Sequence, residues 1–114
     1  MTTSTATRFR DRDVTLANGT RGRNIEIPSA SPVNYFQAIS KPADMPRIAV
    51  DGKLFLPKDS TAATKAGLPL VMIIPGSLGV TDANLAHAAA LADAGIAAFV
   101  LDSFGARGVT STVA

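Results

Sequence analysis

The fold is decided by residues 68–102, which read LPLVMIIPGSLGVTDANLAHAAALADAGIAAFVLD. Residues 68–74 and 96–101 are continuous apolar runs, which is typical of strands buried on both faces of a parallel sheet. Residues 82–94 between them are strong helix formers, with Thr81 or Asp82 as a plausible N-cap and Gly95 as the stop. Strand, helix and strand with tight joints predict a βαβ crossover with parallel strands.

The predicted helix carries a face of small side chains suited to close packing on a sheet, namely Leu85, Ala88, Ala89 and Ala92. A sheet that is buried on both faces needs more strands and a helix layer on each side, whereas this chain supplies one helix. We therefore expect an incomplete domain, which a C-terminal portion of the natural protein or a second chain completes.

Upstream of this unit, residues 1 to about 66 are polar and broken by prolines and glycines. Short alternating runs at 24–27, 47–50 and 53–56 have the period of strands, and Asp51-Gly52 separates the last two. An Asp-Gly pair between two such runs favours a type I′ turn. The sequence thus predicts an antiparallel hairpin at 47–56, a weaker strand at 23–27 and a loop at 57–67.

The first 22 residues concentrate arginine in a Thr-rich context and are predicted to be a flexible polar leader, followed by one domain portion over 23–114. The arginines are not interleaved with aromatic or amide side chains as in a nucleic-acid interface, so we expect no nucleic-acid partner. No apolar run is long enough for a secretory signal or a membrane span. The chain has no cysteine, and a cytoplasmic location is the default expectation.

The joint after the first core strand, residues 75–79 with the sequence PGSLG, is the most informative place for function. Functional sites of such sheets lie at the carboxyl ends of the strands, and backbone N–H groups there can stabilise a developing negative charge. One interpretation is an oxyanion site formed by the Ser77 amide, with Leu78 as a second donor and Gly76 allowing close approach. The other is a tight turn that needs glycine for its geometry alone. The turn fits neither G-x-G-x-x-G nor a phosphate loop.

No residue of the chain makes a convincing nucleophile. Ser77 and Ser103 each miss one glycine of the G-x-S-x-G elbow, and Ser103 has no helix pattern after it. His87, the single histidine, lies inside the Ala-rich helix and has no partner at metal-ligand spacing. We therefore expect no metal site and no cofactor.

Asp102 ends the second core strand at the same rim as the Gly76 turn, and Arg107 follows in a glycine-framed loop. The carboxylate can pair with Arg107 or cap the loop by accepting backbone N–H bonds. Structural pairing is the preferred interpretation, with substrate binding by Asp102 and Arg107 as the alternative.

Three segments together resemble the dienelactone-hydrolase-like branch of the α/β-hydrolases: VMIIPGSLG at 71–79, AAALADAGI at 88–96 and VLDSFGARG at 100–108. The resemblance covers about forty residues. It implies that the turn contributes the Ser77 amide to an oxyanion hole, although Pro75 stands where the family commonly has histidine. The family's nucleophile, acid and histidine lie further downstream and have no counterpart here.

The fold class expected from these observations is α/β, the N-terminal part of an α/β-hydrolase fold, with a hairpin followed by a βαβ unit of a mostly parallel sheet. The resemblance implies hydrolysis of a small ester or lactone, with this chain supplying the oxyanion-hole turn and being inactive alone. The alternative is a non-catalytic truncated or subunit chain that acts by binding or assembly.

Overall fold

The computed structural model describes residues 8–58, 67–109 and 111–113. The described residues form four strands and two α-helices, with short 3-10 helices at 9–11, 42–44 and 105–107. In chain order the elements are β1 (Arg23–Ala30), α1 (Tyr35–Ser40), β2 (Arg47–Phe55), β3 (Leu70–Ile73), α2 (Asp82–Asp93) and β4 (Ala97–Asp102). None of the helices in the described ranges combines the length and apolarity needed to cross a membrane.

The strands form one mixed sheet in the order β1-β2-β4-β3. β2 is antiparallel to both of its neighbours, whereas β3 and β4 are parallel and joined through α2, as the βαβ pattern predicts. The strand expected at 23–27 is confirmed and extends to Ala30. Most of the loop expected at 57–67 lies outside the described residues.

The predicted hairpin at 47–56 is wrong. Residues 47–55 form a single strand, and Asp51 and Gly52 lie in its middle, paired with Asp102 and Leu101 of β4. Gly52 is needed there because a Cβ atom would lie 2.5 Å from the Phe99 ring and 2.5 Å from the Val100 carbonyl oxygen. The glycine thus marks a close approach between strands rather than a turn.

One face of the sheet carries the core. The side chains of Phe55, Ala98 and Val100 point to this face and are completely buried, and α2 covers them with Ala88 and Ala92. Leu85 and Ala89 are partly buried against the same core, so the helix face predicted from the sequence is the packed face.

The N-terminal segment covers the rest of this core, which corrects the prediction of a flexible leader for its described part, residues 8–22. Phe9, Val14 and Leu16 are buried and belong to the core. The segment folds back on itself through a bridge between Thr15 and Arg21. The burial of the apolar side chains at 9, 14 and 16 thus fixes this segment on the sheet, although its many arginines suggested a solvent-exposed leader. Residues 1–7 of the expected leader lie outside the described residues.

The β3 edge of the sheet is largely uncovered within the described residues, whereas Ala97 and Phe99 of β4 are buried on the opposite face as well. Leu70 and Met72, which share this face with Phe99 by strand register, are 55% and 50% exposed. β3 therefore differs from the prediction of a strand buried on both faces, because it is an edge strand with β4 as its one described neighbour. β4 is buried as predicted.

Candidate functional site

The carboxyl ends of β3 and β4 lie side by side, because these strands are parallel neighbours. A small cleft with a volume of about 10 Å³, room for about one water molecule, opens between the segments that follow them. We call it the rim cleft; its lining residues are Pro75, Gly76, Gly79, Leu101, Asp102, Ser103 and Phe104. The structure therefore brings the Gly76 turn and Asp102 together at one edge of the sheet, as the sequence predicts.

The turn itself is closed by a bond from the Gly79 N–H to the Gly76 carbonyl, at 3.0 Å. Gly79 has a φ of +74°, a conformation that favours glycine. The Ser77 carbonyl accepts a bond of 2.8 Å from the Thr112 N–H. Within the described parts of the chain, the amides of Ser77 and Leu78 have no hydrogen-bond acceptor. Both residues are exposed, and they lie beside the lining of the rim cleft rather than in it.

The Asp102 side chain caps the loop that follows β4. One of its oxygens accepts hydrogen bonds from the Phe104 and Gly105 amides, each 3.1 Å long. A Cβ atom at Gly105 would lie 2.5 Å from the other oxygen, so the loop passes directly over the carboxylate. This is the capping that the sequence suggests as one of two structural roles for Asp102.

Arg107 does not pair with Asp102 in the described structure; it joins this loop to β1. Its guanidinium donates to the Ser31 hydroxyl at 2.8 Å, to the Ser103 carbonyl at 2.7 Å and to the Ala30 carbonyl at 3.4 Å. The partners of Arg107 are therefore one hydroxyl and two carbonyl oxygens, and the pairing with the Asp102 carboxylate that the sequence suggested is not formed. The effect is to hold the loop at 103–108 against the end of β1.

A buried carboxylate beside Asp102 is absent from the sequence interpretation. Asp51 faces Asp102 across the β2–β4 pair, is 1% exposed and forms an ion pair with Arg8. Burial raises the pKa of the Asp51 carboxyl, and the nearby Asp102 adds to the rise, while Arg8 opposes it. Asp51 Oδ2 and Arg8 Nε are buried without a partner among the described residues. The Asp51-Gly52 pair is a typical turn sequence, so the sequence alone gives no sign that Asp51 is a buried carboxylate paired with Arg8.

The other candidate side chains lie apart from one another. His87 is exposed on α2, whose inner face consists of Ala88 and Ala92, and it does not line the rim cleft. Ser103 lines the cleft, whereas Ser77 does not. In the described ranges, no group of three or more histidine, aspartate or glutamate side chains is arranged to hold a metal ion.

The comparisons with known proteins give no family for the chain. It matches no protein-family model, no curated protein and no solved structure.

Proposed function

We propose that this chain is the N-terminal part of an α/β-hydrolase that cleaves a small ester or lactone, and that the turn at 76–79 contributes to its oxyanion hole. The observation that carries the proposal is the pair of backbone amides, Ser77 and Leu78, which have no acceptor among the described residues and lie at the carboxyl rim of a parallel strand pair. An amide N–H must be free in the resting protein in order to donate a hydrogen bond to an oxygen on which negative charge develops.

The sheet topology supports the same proposal. α/β-Hydrolases place one oxyanion donor in the loop between their third strand and the helix that follows it. Here the third strand is β3, α2 follows it, and the turn at 76–79 connects them.

The chemistry assigned to this chain is electrostatic. Attack on an ester or lactone carbonyl produces a tetrahedral oxyanion, and N–H donors fixed in advance stabilise that charge without reorganisation. The positive end of the α2 dipole adds to the favourable potential near the turn. The nucleophile, its histidine and its acid belong to a segment outside residues 1–114 or to a second chain.

The experiment uses the natural protein expressed from its complete reading frame, assayed on p-nitrophenyl acetate and a small lactone. Ser77→Pro removes the amide hydrogen, and Ser77 is the second residue of the turn at 76–79, a position that proline favours in β-turns. We expect kcat to fall by about 10²–10³ with KM little changed. Ser77→Ala keeps the amide and is the matched control, with near-normal turnover. A natural protein without ester or lactone hydrolysis, or a folded Ser77→Pro variant with full turnover, would refute the proposal.

A second candidate function, assembly with another chain without catalysis, is favoured by the exposed apolar side chains of the edge strand β3, Leu70, Val71 and Met72. Exposed apolar surface at an edge strand is a feature of interaction sites. The two candidates differ in what Ser77→Pro does, because a purely structural chain has no turnover to lose. Stable association of the natural protein with a partner and no hydrolysis would favour this alternative.

A further inference from the structure

A second cleft, far richer in charge than the rim cleft, opens between the N-terminal segment and the first residues of β1. Its volume is about 600 Å³, within the range of about 300–1,000 Å³ usual for small-molecule sites. We call it the arginine cleft, because four arginines, Arg10, Arg12, Arg21 and Arg23, and Lys53 line it and outnumber the two carboxylates of the lining, Asp11 and Asp13. It shares no lining residue with the rim cleft.

Some of this positive charge is already neutralised. Arg21 binds Asp13 through two nitrogens, at 2.9 and 3.1 Å. Arg10 lies 3.1 Å from a Glu26 oxygen and 3.7 Å from an Asp11 oxygen.

Arg12 and Arg23 remain, both exposed and neither with an ion pair in the described ranges. The guanidinium of Arg12 lies 5.9 Å from the centre of the Phe9 ring, which holds it at the cleft. The cleft therefore offers two guanidinium groups whose donors are available to an anion.

Lys53 adds a cation at the base of the cleft. Its side chain is 2% exposed, and its ammonium donates to the Asn24 side-chain oxygen at 2.6 Å and reaches the Arg10 carbonyl at 3.5 Å. The Phe9 ring centre lies 5.2 Å from the ammonium. Burial lowers the pKa of Lys53, and the carboxylates of Asp13, Asp51 and Asp11 do not fully offset this effect. A buried ammonium facing an open, positively charged cleft is stabilised when an anion occupies it.

We propose that the arginine cleft binds a small molecule through a doubly charged oxyanion, either a phosphate group or a pair of carboxylates. Guanidinium groups bind both kinds of oxyanion in bidentate fashion, and Arg12 and Arg23 supply two such groups. Lys53 supplies a third cation of the lining, held in place by the Asn24 side-chain oxygen. This site does not depend on the proposed hydrolase activity, since it uses other residues.

The test is calorimetric titration of the 114-residue chain with inorganic phosphate and, separately, with malonate at low salt. We expect one of the two to bind with Kd of about 1 mM or lower. The double change Arg12→Gln with Arg23→Gln is expected to weaken binding by about tenfold or more, as is Lys53→Met. Arg47→Gln is the matched control, because Arg47 is an exposed arginine of β2 that does not line the cleft.

Amide NMR shifts of the native chain locate the bound anion. They do not depend on whether each variant folds. Shifts confined to residues 10–13 and 21–24, absent at 76–79, support the proposal. Tighter binding of phosphate assigns a phosphoryl ligand, and tighter binding of malonate assigns a dicarboxylate. Equal weakening by Arg47→Gln, no binding of either anion, or preferential binding of a DNA duplex over both would overturn it.

Discussion

Gly52 lies in the middle of β2, where the strand passes the Phe99 ring and the backbone of β4. A Cβ atom there would lie 2.5 Å from both the ring and the Val100 carbonyl oxygen, and backbone atoms cannot rotate away. We therefore expect Gly52→Ala to lower the free energy of unfolding by about 3 kcal/mol in urea denaturation. Gly76→Ala is the control, because a Cβ at Gly76 would meet no atom within 4 Å. Equal stability of the two variants would contradict this account of the glycine.

Asp51 gives the stability a pH dependence of predictable sign. Burial raises the pKa of its carboxyl above the ordinary value of 3.8, despite the Arg8 guanidinium. The folded protein therefore holds this proton more tightly than the unfolded chain does. The contribution of Asp51 to the free energy of unfolding is largest below pH 3.8 and falls as the pH rises from there through the folded-state pKa.

Comparison with Asp51→Asn isolates this contribution, because the other carboxyl groups titrate in both proteins. Urea unfolding across the acidic range measures the difference. We expect the native protein to lose stability relative to the variant as the pH rises. A difference that stays constant, or that changes in the native protein's favour, would mean that Arg8 outweighs burial.

At the scale of elements, α2 packs its small side chains directly on β4. Ala88 is completely buried, whereas Ala90, two positions along the helix, is exposed. Leucine has a helix propensity close to that of alanine, so the same substitution at both positions separates packing from propensity. We expect Ala88→Leu to cost about 1–3 kcal/mol and Ala90→Leu less than about 0.5 kcal/mol in thermal or urea unfolding. Similar costs at the two positions would show that the helix does not lie on the sheet through this face.

The sequence predicts well those elements whose apolar or helix-forming pattern continues over many consecutive residues. The helix at 82–93 and the parallel strands around it follow from apolar periodicity and from Gly95, so the βαβ unit forms as expected, although β3 is shorter and more exposed than predicted. The hairpin prediction is wrong because it rests on two residues, Asp51-Gly52. The turn preference of this pair is outweighed by the pairing of the whole of β2 with β1 and β4.

The placement of the side chains around the candidate sites depends on contacts distant in sequence. Arg8 with Asp51 and Arg107 with Ser31 join residues more than forty positions apart, and no spacing rule reveals such pairs. The Gly76 turn and Asp102 were predictable together, because parallel neighbouring strands end at the same rim.

Within the described residues, the core face of the sheet is covered, whereas on the opposite face Phe99 of β4 is buried and the part that β3 contributes is open. We call this β3 part the open face. α2 and the N-terminal segment cover the core face, while Leu70 and Met72 are about half exposed on the opposite face, next to an edge strand. Such a combination promotes pairing with another chain, because apolar surface and unpaired backbone groups lie together.

We therefore expect the 114-residue chain to self-associate in sedimentation velocity, with an average mass that rises with protein concentration. Leu70→Lys combined with Met72→Lys places two charges on the open face and should shift the chain towards monomer. Tyr35→Lys combined with Ile39→Lys is the control, since these α1 side chains are 88% and 80% exposed but lie away from the β3 edge. If the control pair suppresses association and the β3 pair does not, α1 is the contact surface. A native chain that stays monomeric at every concentration would show that the open face is tolerated in water, and the argument for a missing neighbour at β3 would fail.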